Sequence, residues 1–166
     1  MRLRVLIVLS GLALSAGACA TVEPVPAPAL IVSAPVPIED HDWFFSIDGD
    51  QAGLSYGLNE SDDVWLSLGC RRGSGRLDLS RPVEVGHPLT ISVESGGEAG
   101  VYPATPEPSE LHDGVFLVAQ AGARDPVFQQ FRQTGWMAVL GSNDRNTMVP
   151  YPESEPDIER FFAFCG

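Results

Sequence analysis

Cys70 and Cys165 set the tightest limits on how this chain folds. In Val64-Trp65-Leu66-Ser67-Leu68-Gly69-Cys70, residues 64, 66, 68 and 70 fall on one face of a strand, because side chains alternate along an extended backbone. That face is apolar, so Cys70 points inward. In Pro156–Cys165, residues 158, 161, 162 and 165 follow the i, i+3, i+4, i+7 spacing of one helix stripe. Cys165 therefore lies on the buried side of a short C-terminal helix. Two inward thiols predict a Cys70–Cys165 disulfide, provided the chain matures in an oxidising compartment. Closing a loop of ~95 residues would stabilise the fold by roughly 4–5 kcal/mol on the chain-entropy account. The alternative is a pair of free thiols packed as small hydrophobes. A metal site at this pair lacks a nearby histidine to complete the ligand set.

The N-terminus supplies the compartment. Met1-Arg2-Leu3-Arg4 is a short basic segment, and the 12-residue run Val5–Ala16 that follows is almost wholly apolar. A bilayer span needs ~20 residues, so this run matches the apolar part of an export signal. Ala16-Gly17-Ala18-Cys19 then resembles the lipobox of bacterial lipoproteins, although Ala16 stands where leucine is favoured. The resemblance covers residues 1–19 only. It implies cleavage before Cys19 and acylation of its thiol, and Ala20 resembles the pattern of lipoproteins sent to the outer membrane. Ala16-Gly17-Ala18 and Ala18-Cys19-Ala20 are also ordinary secretory cleavage sites. A cut after Ala20 would instead release a soluble periplasmic protein. Thr21–Asp40 contains Pro24, Pro26, Pro28, Pro35 and Pro37. Extended polyproline rises ~3.1 Å per residue, so twenty residues reach ~60 Å, the length of a useful tether from a membrane. The expected division is a signal at 1–18, a tether at 19–40 and a disulfide-closed domain at 41–166.

Within that domain, Phe45–Ile47 and Leu54–Leu58 alternate around the turn Asp48-Gly49-Asp50. Leu77 and Leu79 alternate with polar residues after the turn at Arg71–Gly75. Leu89–Val93 alternates most cleanly, and Ser95-Gly96-Gly97 turns it into Ala99–Tyr102. Thr105–Ser109 reads as a proline-rich loop, and Val115–Ala119 as a buried strand. Asp125 and Pro126 open a helix with Val127, Phe128 and Phe131 on its apolar face, and Gly135 stops it. Trp136–Leu140 and Thr147–Val149 complete the strands. The expectation is a mainly β domain: one antiparallel β-sandwich or barrel of about seven to nine short strands, with two short helices near 125–134 and 155–165.

Charge narrows the partners. All ten basic residues are arginine, and two of them, Arg2 and Arg4, belong to the leader. The remaining eight face 22 acidic residues, a net charge near −14. Such acidity disfavours nucleic acid and anionic headgroups. It keeps an exported protein soluble and would suit a cationic partner. Four arginines, Arg71, Arg72, Arg76 and Arg81, crowd into eleven residues and form a candidate anion-contacting patch. Trp43, Trp65 and Trp136 are candidates for a sugar- or peptide-binding face. By strand parity Trp65 lies opposite Cys70, exposed or covered by another layer.

Catalytic motifs are weak. Asp48-Gly49-Asp50-Gln51-Ala52-Gly53 resembles the start of an EF-hand loop, but Ala52 offers no oxygen at the fifth position and Asn59 replaces the bidentate glutamate at the twelfth. Gly73-Ser74-Gly75 lacks the spacers of a nucleophile elbow. A Ser74, His112 and Asp113 arrangement has no supporting motif, and acidic neighbours such as Asp62-Asp63 are too common here to mark a glycosidase. We therefore expect a non-catalytic envelope lipoprotein with a small binding or structural domain, attached to the membrane by lipid at Cys19. Trp65, Arg71, Arg72 and Arg76 are its candidate binding residues, and an envelope protein or a glycan is its partner. No metal, cofactor or nucleic acid is expected. The alternatives are an envelope hydrolase acting on peptidoglycan or glycan, and an inhibitor of a cationic enzyme.

Overall fold

The computed structural model describes residues 35–109, 113–141 and 144–166. Cys19 and most of the proline-rich segment lie outside them, as does His112. Nine strands form among the described residues. They are β1 (His41–Asp48), β2 (Gln51–Leu58), β3 (Val64–Arg71), β4 (Arg76–Val83), β5 (Thr90–Ser95), β6 (Glu98–Pro108), β7 (Val115–Gly122), β8 (Met137–Leu140) and β9 (Arg145–Met148). Two helices join them, α1 (Pro126–Thr134) and α2 (Glu155–Cys165). The strands make a single antiparallel sheet in the order β1-β2-β3-β4-β7-β6-β5-β8-β9. It curls into a nearly closed barrel, with the alternating apolar residues inside. The expected mainly β class, the strand number and both helices stand, and of the two forms expected the sheet takes the barrel-like one.

The edge strand β1 is tied to the segment between β9 and α2 by one side chain. Asp42 Oδ1 accepts from the backbone N–H of Trp43 (2.8 Å), the N–H of Tyr151 (3.1 Å) and the Ser154 hydroxyl (2.5 Å). Tyr151 Oη in turn donates to Ile38 O at 3.2 Å, which ties the segment before β1 to the same seam. Hydrogen bonds to a charged acceptor are stronger than neutral ones, so one carboxylate fastens β1 to the chain that leads into α2.

Inside the curl, Trp43, Leu54, Tyr56, Leu66, Leu68, Leu77 and Leu79 are buried, each from an alternate position of its strand. α1 adds Val127, Phe128 and Phe131, and α2 adds Ile158, Phe161, Phe162 and Cys165. Cys70 and Cys165 are joined, with Cα atoms 5.7 Å apart. The same contact is reinforced by the backbone. Gly73 N–H donates to Phe164 O (2.9 Å) and Gly75 N–H to Cys165 O (2.8 Å). Both glycines have positive φ, so their amides can turn toward carbonyls that the end of a helix leaves unpaired.

Three details depart from the reading of the sequence. Thr105–Pro108 is strand, not loop: β6 continues through it and pairs with β7, with Pro106 opposite Leu117 and Pro108 opposite Val115. β5 covers only Thr90–Ser95 against Glu98–Pro103, so this half of β6 has one neighbour. A proline there forfeits no ladder bond. Asp125 occupies the N-cap of α1 but makes no side-chain cap. Its carboxylate instead accepts from Gly122 N–H (3.1 Å) and Tyr102 Oη (3.0 Å). Trp65, lastly, is not an outward residue under a second layer. The register slips between Tyr56 and Gly57, which pair with Leu66 and Val64, so Trp65 is the extra residue of a bulge. Its ring packs 5.6 Å from Tyr56 and 5.0 Å from His41, against the core.

Candidate functional site

The outer surface of β3, β4, β7 and β6 carries a polar concavity. It begins at the β3–β4 turn, where the disulfide and the Phe164 and Cys165 carbonyls hold the backbone. Leu77 and Leu79 point into the core, so Arg76 and Asp78 point out. Asp78 lies opposite Gln120 in the β4–β7 ladder. Cross-strand partners share a face, so the three polar side chains converge.

Gln120 links the other two. Its Oε1 accepts from Arg76 Nη2, and its Nε2 donates to Asp78 Oδ1 at 3.3 Å. One amide thus serves a cation and an anion at once, as its two ends allow. On one side lies a pocket of about 480 Å³, lined among others by Arg71, Arg76, Ser74 and Gln51, with Gly69 and Cys70 in its floor. On the other lies a pocket of about 520 Å³, lined among others by Thr105, Glu107, Val118 and Pro103. Asp78 and Gln120 border both, so the two are one groove with a central polar bridge. No side chain at Gly69 raises the floor.

The groove is electrically polarised. Arg71 Nε stands 3.3 Å from the Asp50 carboxylate, an exposed pair and the one ion pair Arg71 makes among the described residues. Arg76 has no ion-pair partner among the described residues and spends one donor on Gln120. The opposite compartment is acidic, with Asp78 and Glu107. Ser74 shapes the turn: its hydroxyl accepts from Arg76 N–H at 3.2 Å.

Of the candidate binding residues, Arg71 and Arg76 come together in this groove, and Arg72 and Trp65 do not. The Arg72 guanidinium lies 3.9 Å from the centre of the Phe164 ring, and its Nη2 donates to Gly49 O at 3.4 Å. Arg81 leaves the patch altogether. It shares the inward parity of Leu77 and Leu79, is 9% exposed, and reaches across the interior to Leu140 O at 3.4 Å. Its Nε is buried with no hydrogen-bond partner among the described residues. Burial lowers its pKa from the ordinary arginine value, and the Asp144 carboxylate opposes that shift.

The tryptophans share no binding face. Trp43 is buried at 1% exposure, Trp65 packs on the core, and Trp136 meets the Arg145 guanidinium at 5.5 Å. Asp48-Gly49-Asp50 is the tight turn between β1 and β2, with Gln51–Leu58 strand rather than a ligand loop. No group of three or more His, Cys, Asp or Glu side chains among the described residues could hold a metal. Ser74 and Asp113 lie beyond opposite ends of the β4–β7 ladder. At ~3.3 Å per residue their separation exceeds ~20 Å, too far for one catalytic constellation. His41 packs against Trp65 with the two rings tilted, beside the seam, and His87 Nδ1 sits 3.0 Å from Pro88 O on the surface.

Gln51, Asp78, Thr105, Glu107 and Gln120 were not singled out by the sequence. Alternation at Leu77 and Leu79 already marks Asp78 as outward. Its pairing with Gln120, 42 residues away, has no local signal. A third concavity, of about 430 Å³ at Pro82–Val85 and Asp113–Gly114, has more apolar walls and no arginine. No helix among the described residues is long and apolar enough to cross a membrane. No family model, curated protein or solved structure matches this chain.

Proposed function

We propose that this chain is an exported lipoprotein, held at the membrane by acylated Cys19, whose barrel-like domain is a non-catalytic binding module. The groove across β3, β4, β7 and β6 is its recognition surface. The observation that carries this reading is the exposed, under-committed Arg71–Arg76 pair, set at the one turn that a disulfide and two backbone hydrogen bonds fasten to the C-terminal helix. A fixed turn presents two guanidinium forks without the ordering cost that a mobile loop would add on binding. The proline-rich segment between Cys19 and β1 gives such a module reach away from the bilayer.

The test has two parts. Cys19→Ser should move the protein from the membrane to the soluble fraction, and mass spectrometry of the wild-type N-terminal peptide should show the added acyl mass. The full-length protein in neutral detergent should then retain a partner from envelope extract that the Arg71→Gln/Arg76→Gln variant, with an unchanged melting temperature, does not. Equal retention by wild type and variant refutes the groove.

A further inference from the structure

We infer that the occupant of this groove is a short, extended, zwitterionic peptide, its free carboxylate at Arg71 and Arg76 and its free amine at Glu107; the inference rests on the groove being the recognition surface. Charge complementarity carries it. The basic compartment offers Arg76 with no ion-pair partner among the described residues, next to Arg71, which shares one exposed carboxylate. The acidic compartment offers Glu107, and Asp78, which borders both compartments, already accepts from Gln120. An anion long enough to span the groove meets repulsion at Glu107, and a spanning cation meets it at Arg76. A chain charged oppositely at its two ends meets neither.

The spacing sets the length. Glu107 lies opposite Phe116, while Gln120 sits four residues along the same strand. Four residues of strand cover ~13 Å, the reach of an extended peptide of about four residues. Val118 and Thr105, paired across β7 and β6, lie between the charged ends and give the peptide body a floor with one methyl-rich and one hydroxyl contact. Guanidinium forks favour carboxylates because two parallel N–H groups match two oxygens.

Titration calorimetry on the full-length protein in neutral detergent tests this with tetra-alanine bearing free termini, compared with its N-acetylated and C-amidated forms. Free peptide should bind, and capping either end should weaken it about fivefold or more, the loss of one charge-assisted contact. Arg76→Gln should abolish only the sensitivity to amidation, and Glu107→Gln only the sensitivity to acetylation. A doubly capped peptide that binds as well as the free one, or no heat from millimolar free peptide, overturns the inference. If free peptide fails while insoluble peptidoglycan retains the wild type but not Arg71→Gln/Arg76→Gln, the groove stands and its peptide occupant falls. If the double variant keeps every partner, the groove itself falls.

Discussion

Cys70 and Cys165 bring the third strand and the last helix to a Cα separation of 5.7 Å, and the turn that carries the exposed arginines follows directly from that junction. Removing the bond should therefore act on stability first and on the groove second. Cys70→Ser/Cys165→Ser should lose about 3–5 kcal/mol, most of it through a less restricted unfolded chain. Urea unfolding of oxidised, reduced and double-variant protein measures it. Losses below about 1 kcal/mol would mean that the two backbone hydrogen bonds already hold the turn alone.

Arg81 makes the opposite prediction. A guanidinium at 9% exposure that has, among the described residues, one long hydrogen bond and no partner at Nε has surrendered more hydration than it has regained there. Replacing such a buried charge by an apolar side chain of similar length is often neutral or stabilising by ~1–4 kcal/mol. Arg81→Met should leave the urea midpoint unchanged or raise it. A drop of more than about 2 kcal/mol would show that the cation holds the β4–β8 crossing together.

The seam depends on one oxygen. Asp42→Ala removes the acceptor used by Trp43, Tyr151 and Ser154; the two backbone N–H groups lose their partner at a part-buried site, while the Ser154 hydroxyl keeps Tyr151 O. The cost should be about 2–4 kcal/mol, with Asp42→Asn intermediate because it keeps a carbonyl. Hydrogen exchange should quicken first in β1 and around Tyr151. Uniform exchange across the sheet would contradict a local seam.

The core, not the seam, is where the sequence was legible. β3, β4 and β5 alternate cleanly because one face of each meets the core, and α2 shows its stripe for the same reason. The inward placement of Cys70 and Cys165 followed from that alone. The strand at Thr105–Pro108 was hidden, because whether a proline is tolerated depends on which neighbouring strand is missing. Trp65 was misplaced because a bulge shifts parity without leaving a residue signature. Arg81 was grouped by sequence proximity with Arg71 and Arg76, although its parity with Leu77 and Leu79 already pointed it inward. The groove needed Gln120 opposite Asp78, a long-range pairing fixed only by the sheet order.

Alkaline pH should weaken the fold in a way that Tyr102 reports. Burial first, then the hydrogen bond to Asp125 and its charge, raise the Tyr102 phenol above its ordinary value. The folded phenol therefore keeps its proton where an unfolded tyrosine, with a pKa of about 10, has lost it. Its contribution is whole below pH ~10 and is lost as pH rises from there toward the folded value. Tyr102→Phe should be less stable than wild type by about 1 kcal/mol at pH 7, the value of one hydrogen bond, and the gap should shrink above pH 10. Tyr56, also raised by burial, leaves both proteins some alkaline slope. A gap independent of pH would contradict the account.

The central claim is that binding happens on the outer face of β4 and β7, not at the Pro82–Val85 concavity or in the barrel interior. Hydrogen exchange read by mass spectrometry, on the full-length protein with and without envelope extract, locates it directly. The account predicts slowed exchange in Arg76–Ser80 and Val118–Gly122, lost in Arg71→Gln/Arg76→Gln. Slowing confined to Val83–Val85 and Gly114, with those two strands unchanged, would contradict it.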